Sequence, residues 1–154
     1  MTREENFQQE IIKKFSFLSD KVKVARPRRI SLEVPYEKFL DVFRFVIKDQ
    51  KFVMLCTITG LDEGDNLGFI YHLSQEGGIT LNFKSSVPKS NPVIKSVIDI
   101  FPGAEMYERE MADLFGFKVE GLPSGNRYPL TDDWPKGEFP LRKDWKATSS
   151  EQVG

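Results

Sequence analysis

The stretch YEREMADLFGF, Tyr107 to Phe117, sets three acids within six positions, Glu108, Glu110 and Asp113, with Arg109 among them. On a helix, Glu110 and Asp113 share a face, and Glu105, Arg109 and Asp113 form a second row at spacing four. Two neighbouring carboxylates divide acid and base roles when their environments separate their pKa values. Three readings of the cluster are open. It is an acid/base site. It is a solvated helix face with Glu105–Arg109 pairing, worth a few tenths of a kcal/mol. Or it is a set of charges aimed at a partner, with Arg–carboxylate contacts fixing orientation.

Nothing else in the chain completes a catalytic site. The one histidine, His72, falls in a predicted strand, where an ordinary hydrogen bond is its expected role. Neither G-x-x-x-x-G-K nor G-x-G-x-x-G occurs. With one cysteine, Cys56, and one histidine, the chain cannot form an internal disulfide, ligate an iron–sulfur cluster or build a tetrahedral zinc site. LDEGDN, Leu61 to Asn66, looks superficially like a calcium loop, but it lacks the EF-hand spacing and reads as a turn.

The elements that must position these residues follow from periodicity. The chain has 154 residues, 40% hydrophobic and 29% charged, which is one soluble globular domain by length and composition. A net charge of −1 gathers neither nucleic acid nor a membrane surface. No apolar run approaches the roughly 18 residues of a spanning helix. MTREENFQQE has no apolar signal region, so the chain is expected in the cytosol unless a partner holds it at a membrane.

Residues 5–18 align Phe7, Ile11, Ile12, Phe15 and Leu18 on a helical stripe. Pro27 breaks the following stretch. Ile30, Leu32 and Val34 then alternate with Arg29, Ser31 and Glu33 as a strand. Residues 36–49 read as a helix with Phe39, Leu40, Phe43, Val46 and Ile47 inward. KFVMLCTIT, 51–59, is apolar on both faces and predicts a central strand. Strands at 67–74 and 78–86 follow, with Gly77-Gly78 as a hairpin turn and Thr80, Asn82 and Lys84 on a wet face. Asn91-Pro92 predicts a helix start, and Pro102-Gly103 ends that helix and opens another over about 104–115, stopped by Gly116. The order α-β-α-β-β-β-α-α predicts an α+β fold, a small mostly antiparallel sheet with helices packed on it.

From Phe117 the pattern changes. Prolines and glycines punctuate the segment and no period survives. Yet Tyr128, Trp134, Phe139 and Trp145 recur, with Arg127 and Arg142 beside them, the residue types of interface hot spots. The expected organisation is therefore an α+β domain over 1–116 and an extended arm over 117–154. Composition alone leaves open whether the arm wraps a partner or its own domain.

YEREMADLFGF, followed by RYPLTDDW and FPLRKDW, resembles the C-terminal half of the thirty-kilodalton subunit of respiratory complex I, an NADH dehydrogenase-like family that includes small subunits of energy-converting membrane-bound [NiFe] hydrogenases. Glu108, Arg109, Glu110 and Asp113 match the first block, and Arg127 is the arginine downstream of it. Asp132, Asp133 and Trp134 match the second block, and Pro140, Leu141, Arg142, Lys143, Asp144 and Trp145 the third. Three positions depart from the common pattern: Leu122 in place of a histidine, Asn126 in place of an arginine, and Phe139 in place of a histidine. These departures point toward the hydrogenase-like or archaeal-type branches.

The resemblance implies a subunit with no catalytic residue, cofactor or metal of its own. It implies packing on a large subunit that holds a [NiFe] site or the quinone-pocket remnant of one, and on a small subunit that carries an iron–sulfur cluster. Contact with the membrane would come through partners, and nucleic acid would not be a ligand. The blocks would form the partner interface and anchor the arm's root. Arg142 is expected to pair with a partner's carboxylate or with Glu108 or Glu110, and Trp134 to fill an apolar pocket. Two other classes compete. One is a free-standing acid/base enzyme using Glu108, Glu110 and Asp113. The other is an RNA-binding module stacking bases on Phe69, Tyr71 and Phe83, with Arg26 to Arg29 at the phosphates.

Overall fold

The computed structural model describes residues 1–147. The elements are α1 (Arg3–Lys14), β1 (Val22–Arg26), β2 (Arg29–Glu33), α2 (Phe39–Lys48), β3 (Met54–Asp62), β4 (Asn66–Gln75), β5 (Ile79–Pro88), β6 (Val93–Lys95), α3 (Ala104–Phe115) and β7 (Lys118–Glu120). The fold is α+β, with a five-stranded, mostly antiparallel sheet in the order β1-β2-β5-β4-β3. The chain divides into two compact units. The first comprises residues 1–59 and 68–87, the second residues 60–67 and those from 88 onward.

In the first unit, α1 starts on a reciprocal cap. Thr2 Oγ1 accepts from the Glu5 N–H, and Glu5 Oε2 accepts from the Thr2 N–H. The predicted stripe buries Phe7 and Ile11, and Leu18 follows in a single 3-10 turn. Glu4 Oε1 accepts from the Arg28 N–H at 2.6 Å, tying the helix to the β1–β2 turn. β2 buries Ile30 and Leu32 as its alternation requires.

The core is aromatic. The ring of Phe39 lies 5.2–5.7 Å from those of Tyr36, Phe43, Phe69, Tyr71 and Phe83. Offset and edge-on pairs of this kind add to the area buried. Phe69, Tyr71 and Phe83 are fully buried, so they offer no platform for nucleic-acid bases. His72 bridges neighbouring strands as an ordinary polar residue. Its Nε2 lies 2.9 Å from Thr59 Oγ1 and its Nδ1 lies 3.0 Å from Asn82 Oδ1.

Four elements differ from the sequence expectation, one of them β7 at Lys118–Glu120, which lies in the segment where no strand period is read. A strand precedes Pro27. β1 pairs antiparallel with β2, and Pro27-Arg28 is the turn, with Arg28 at φ 61°. The run at 51–59 is not central, because β3 is the outer strand of the sheet. The reason is topological. β3, β4 and β5 form a meander that joins the β1–β2 hairpin through β5, in parallel with β2, which leaves β3 at the far side. Finally, no helix follows Asn91-Pro92. Val93, Ile94, Val97 and Ile98 are β-branched; a helix restricts them to one side-chain rotamer, which lowers helix propensity and favours a strand. Residues 93–95 pair in parallel with β7, Ile94 opposite Val119.

Candidate functional site

α3 carries the signature acids. Its residues are mostly good helix formers, and Gly116, at φ 81°, supplies the left-handed stop. Ala104, Glu108 and Met111 recur on its buried stripe, which takes Glu108 out of solvent entirely. Glu108 Oε1 accepts from the Val97 N–H at 2.7 Å, and Oε2 accepts from the Ser96 hydroxyl at 2.6 Å. Ser96 Oγ in turn accepts from the Ile98 N–H at 3.2 Å. The carboxylate thereby fixes the segment that leaves β6. Burial pushes the Glu108 carboxyl above its ordinary range, the bonds from Ser96 and Val97 oppose the rise, and the Glu105 charge adds to it.

Arg109 faces the other way. Its Nη2 donates to Glu105 Oε1 at 2.8 Å and to the Pro123 carbonyl at 2.6 Å. A Cβ on Gly125 would lie 2.9 Å from that same Nη2, so a side chain there would require the guanidinium to shift. Asp113 is 12% exposed at its side chain. Its Oδ1 accepts from Arg127 Nε at 3.2 Å and its Oδ2 from the Leu130 N–H at 2.9 Å. Arg127 Nη1 continues the chain of bonds to the Trp134 carbonyl at 2.6 Å. Glu110 stays half-buried on α3, and its carboxylate has no hydrogen-bond or ion-pair partner among the described residues.

The third block closes the C-terminal end of α3. The Leu141 N–H donates to the Leu114 carbonyl at 3.1 Å, and Arg142 Nε donates to the Phe115 carbonyl at 2.6 Å. These carbonyls have no partner within the helix, and a cation at the negative end of the helix dipole is favourable. The Arg142 guanidinium also stacks 4.8 Å from the centre of the Phe139 ring. A Cβ on Gly116 would meet Phe139 at 2.6 Å, so glycine is required there for space as well as for φ. Within the chain, then, Arg142 caps a helix and does not pair with Glu108 or Glu110. The Leu141 side chain remains 51% exposed.

Trp134 Nε1 donates to the Glu138 carbonyl, and its ring lies 5.7 Å from that of Trp145. Asp133 accepts from the Thr131 hydroxyl, whereas Asp132 is exposed.

One participant escapes a reading of the sequence. Asp62, the last residue of β3, has a side chain only 1% exposed. Oδ2 accepts from Lys89 Nζ at 2.9 Å and from the Lys143 N–H at 2.7 Å, and Oδ1 accepts from the Gly64 N–H at 3.0 Å. Lys89 Nζ also lies 3.2 Å from Asp144 Oδ1. Lys89 first, with the backbone N–H groups, holds the Asp62 carboxyl down to about 2. The stretch does form the expected turn. The available signal is Asp two residues before Gly, since such an aspartate bonds the backbone two residues on.

The arrangement is therefore a frame. Glu108, Asp113 and Asp62 accept from backbone N–H groups, and Arg109, Arg127 and Arg142 donate to backbone carbonyls. Among the described residues, no group of three or more His, Cys, Asp or Glu stands together as metal ligands, and no helix is long and apolar enough to cross a membrane.

Fold and frame together define an α+β protein whose signature charges organise a long C-terminal loop. Residues 32–151 match the family described as the respiratory-chain NADH dehydrogenase 30 Kd subunit, and the chain belongs to that family. It is 32% identical to the membrane-bound hydrogenase subunit beta of Pyrococcus furiosus, over 81% of this chain and 75% of that one. It is also 32% identical to a subunit of the F(420)H(2) dehydrogenase of Methanosarcina mazei, over 80% of this chain and 79% of that one. Among solved structures, a chain of the membrane-bound sulfane sulfur reductase, an archaeal respiratory membrane complex, superposes with a TM-score of 0.82 at 30% identity, covering 97% of this chain and 88% of its own.

Proposed function

We propose that this chain is a cofactor-free assembly and stabilising subunit of a membrane-bound, ion-pumping oxidoreductase complex of the complex I or energy-converting hydrogenase kind. It packs on the large hydrogenase-like or quinone-site subunit and beside the small iron–sulfur subunit, and it meets the cytoplasmic side of the membrane only through them. The body is residues 1–116, and the arm from 117 onward lies against the large subunit.

The observation that carries the reading is the use of the signature residues. Glu108 is closed off from any substrate, and Asp113, Arg109, Arg127 and Arg142 hold backbone groups. The same unit leaves Met106, Tyr128 and Leu141 exposed at 48%, 43% and 51%. Polar groups thus shape the loop from within, and apolar side chains are left for another surface. The relatives' names support the reading in a second way. A hydrogenase, an F(420)H(2) dehydrogenase and a sulfane sulfur reductase share this chain type. A subunit common to different electron donors and acceptors is one that does not choose between them.

The test is a pull-down of the tagged chain from detergent-solubilised membranes, with an absorption spectrum of the isolated chain. Recovery of the large and the iron–sulfur subunits, with a colourless isolated chain, supports the proposal. A stoichiometric iron–sulfur or flavin signal on the isolated chain, or complete release by a salt wash with nothing attached, overturns it. Arg142→Ala should reduce assembled complex on a native gel while the circular dichroism of the free chain is kept, because it undoes one helix cap and the shape of the arm rather than the core.

A further inference from the structure

The two edges of the five-stranded sheet are built differently. β1 is short, five residues, with Lys23 and Arg26 on it, a register shift between Val24 and Arg26, and Pro27 directly after it. Those are the devices by which proteins blunt a sheet edge, where unpaired N–H and C=O groups would otherwise template another strand. β3, at the opposite edge, has nine residues. Its stretch from Phe52 to Thr59, FVMLCTIT, contains no Lys, Arg, Asp, Glu or Pro. Val53 and Met54 are 62% and 61% exposed, and Cys56, Thr57 and Thr59 are at the surface too. A sequence patterned for burial on both faces is therefore found at an unguarded edge.

We infer that β3 is a docking strand, along which an extended segment of another subunit pairs over residues 54–59 as a sixth strand of the sheet. The inference rests on the subunit role proposed above. An edge accepts main-chain pairing, so the occupant is an extended strand and not a helix. It is uncharged where it meets 54–59, because a charge buried there would find no countercharge within that stretch. It is apolar where it covers Val53 and Met54. This surface lies in the first unit.

Cys56, the only cysteine, sits on the strand in question and serves as the reporter. Its alkylation by N-ethylmaleimide is measured in the isolated chain and in the complex purified from membranes, together with amide exchange of residues 54–59. In the complex, alkylation should slow by about tenfold or more and exchange by about a hundredfold or more, as for backbone groups brought into a paired strand. Thr57→Lys, which sets a charge on the exposed edge, should leave the melting of the free chain unchanged and lower the yield of complex. If the other subunits co-purify and both rates match those of the isolated chain, the docking strand is wrong while the subunit reading stands. If the isolated chain is a dimer with Cys56 already protected, the occupant is a second copy and the inference is overturned. If the chain recovers no other subunit, both proposals fall.

Discussion

Each of the two units of this chain coheres by its own means. In the first, large rings meet. Phe39 alone touches five other aromatic side chains, and β5 alternates buried with half-buried positions. In the second, one helix and a long irregular loop share a smaller apolar centre, including Ile94, Val97, Met111 and Phe117, and single polar side chains reach across to backbone groups. Hydrophobic burial is non-directional and tolerates many arrangements. A carboxylate accepting from one particular N–H is directional, and it fixes one loop conformation. A sheet packed with helices has backbone ladders of its own and leans chiefly on the first kind of force. A loop with no ladder of its own needs the second, because its backbone groups must still find partners.

The largest effect should come from the aromatic centre. Phe39→Ala removes the ring that all five neighbours share and should destabilise the first unit by about 3–5 kcal/mol. Denaturant unfolding followed by far-UV circular dichroism measures it. A loss below about 1 kcal/mol would mean that the ring cluster is not what holds this unit, and the contrast between the units would collapse.

Next comes Glu108. Replacing it with Ala leaves the Val97 N–H and the Ser96 hydroxyl without their acceptor, at about 1–3 kcal/mol for each buried group left unsatisfied. Glu108→Gln keeps an oxygen for Val97 and should cost less. The pH dependence separates charge from shape. The folded carboxyl titrates above its ordinary value of 4.5, so the stability linked to it is fully present below 4.5 and is lost as pH rises through the folded value. Unfolding midpoints across that range should decline in the native chain and stay level in Glu108→Gln. A decline of equal slope in both would assign it to another group.

How much of this is readable from sequence follows the same division. The stripes of α1 and α2, the alternation of β2 and the Gly77-Gly78 hairpin are periodic or local signals, and each is found in the structure, although α1 ends at Lys14 and does not reach Leu18. β3 escapes placement because an apolar run records that burial is wanted, but not which strand of a meander joins the neighbouring hairpin. Residues 93–95 fail as a helix because a cap followed by proline is a two-residue signal, outweighed by the β-branched residues after it. Among the site residues, Glu108, Asp113, Arg127 and Arg142 stand out in the sequence, but their partners do not. Those partners lie 11–27 positions away and are mostly backbone groups, which no side-chain pattern marks. Asp62 is invisible as a site residue for the same reason, since its Lys143 partner is 81 positions downstream.

Asp62→Asn tests the directional side more gently, because the turn and Lys89 reach water and solvent can replace part of what is lost. The folded carboxyl titrates near 2, against an ordinary 3.8, so its contribution is present above 3.8 and is lost as pH falls toward 2. In the native chain, exchange protection of the Lys143 amide should fall over that window. In Asp62→Asn it should already be reduced at neutral pH and change little on acidification. Full protection of Lys143 in the variant at neutral pH would show that the arm's end is held by something other than this carboxylate.

The smallest effect belongs to the pair that the sequence displays most directly. Glu105 and Arg109 stand one helical turn apart, and their side chains are 45% and 14% exposed. An exposed pair at that spacing contributes about 0.3–0.5 kcal/mol and is screened by salt. Glu105→Gln should therefore shift the unfolding midpoint little, and less still at high salt. Arg109→Ala should do more, although it removes the same ion pair, because Arg109 Nη2 also donates to the Pro123 carbonyl at 2.6 Å and fills the space against Gly125. The comparison of these two variants isolates the loop contact from the helix-surface pair. If Arg109→Ala and Glu105→Gln lose the same amount, the guanidinium serves only its own helix, and the frame that orders the loop begins at Asp113 rather than at Arg109.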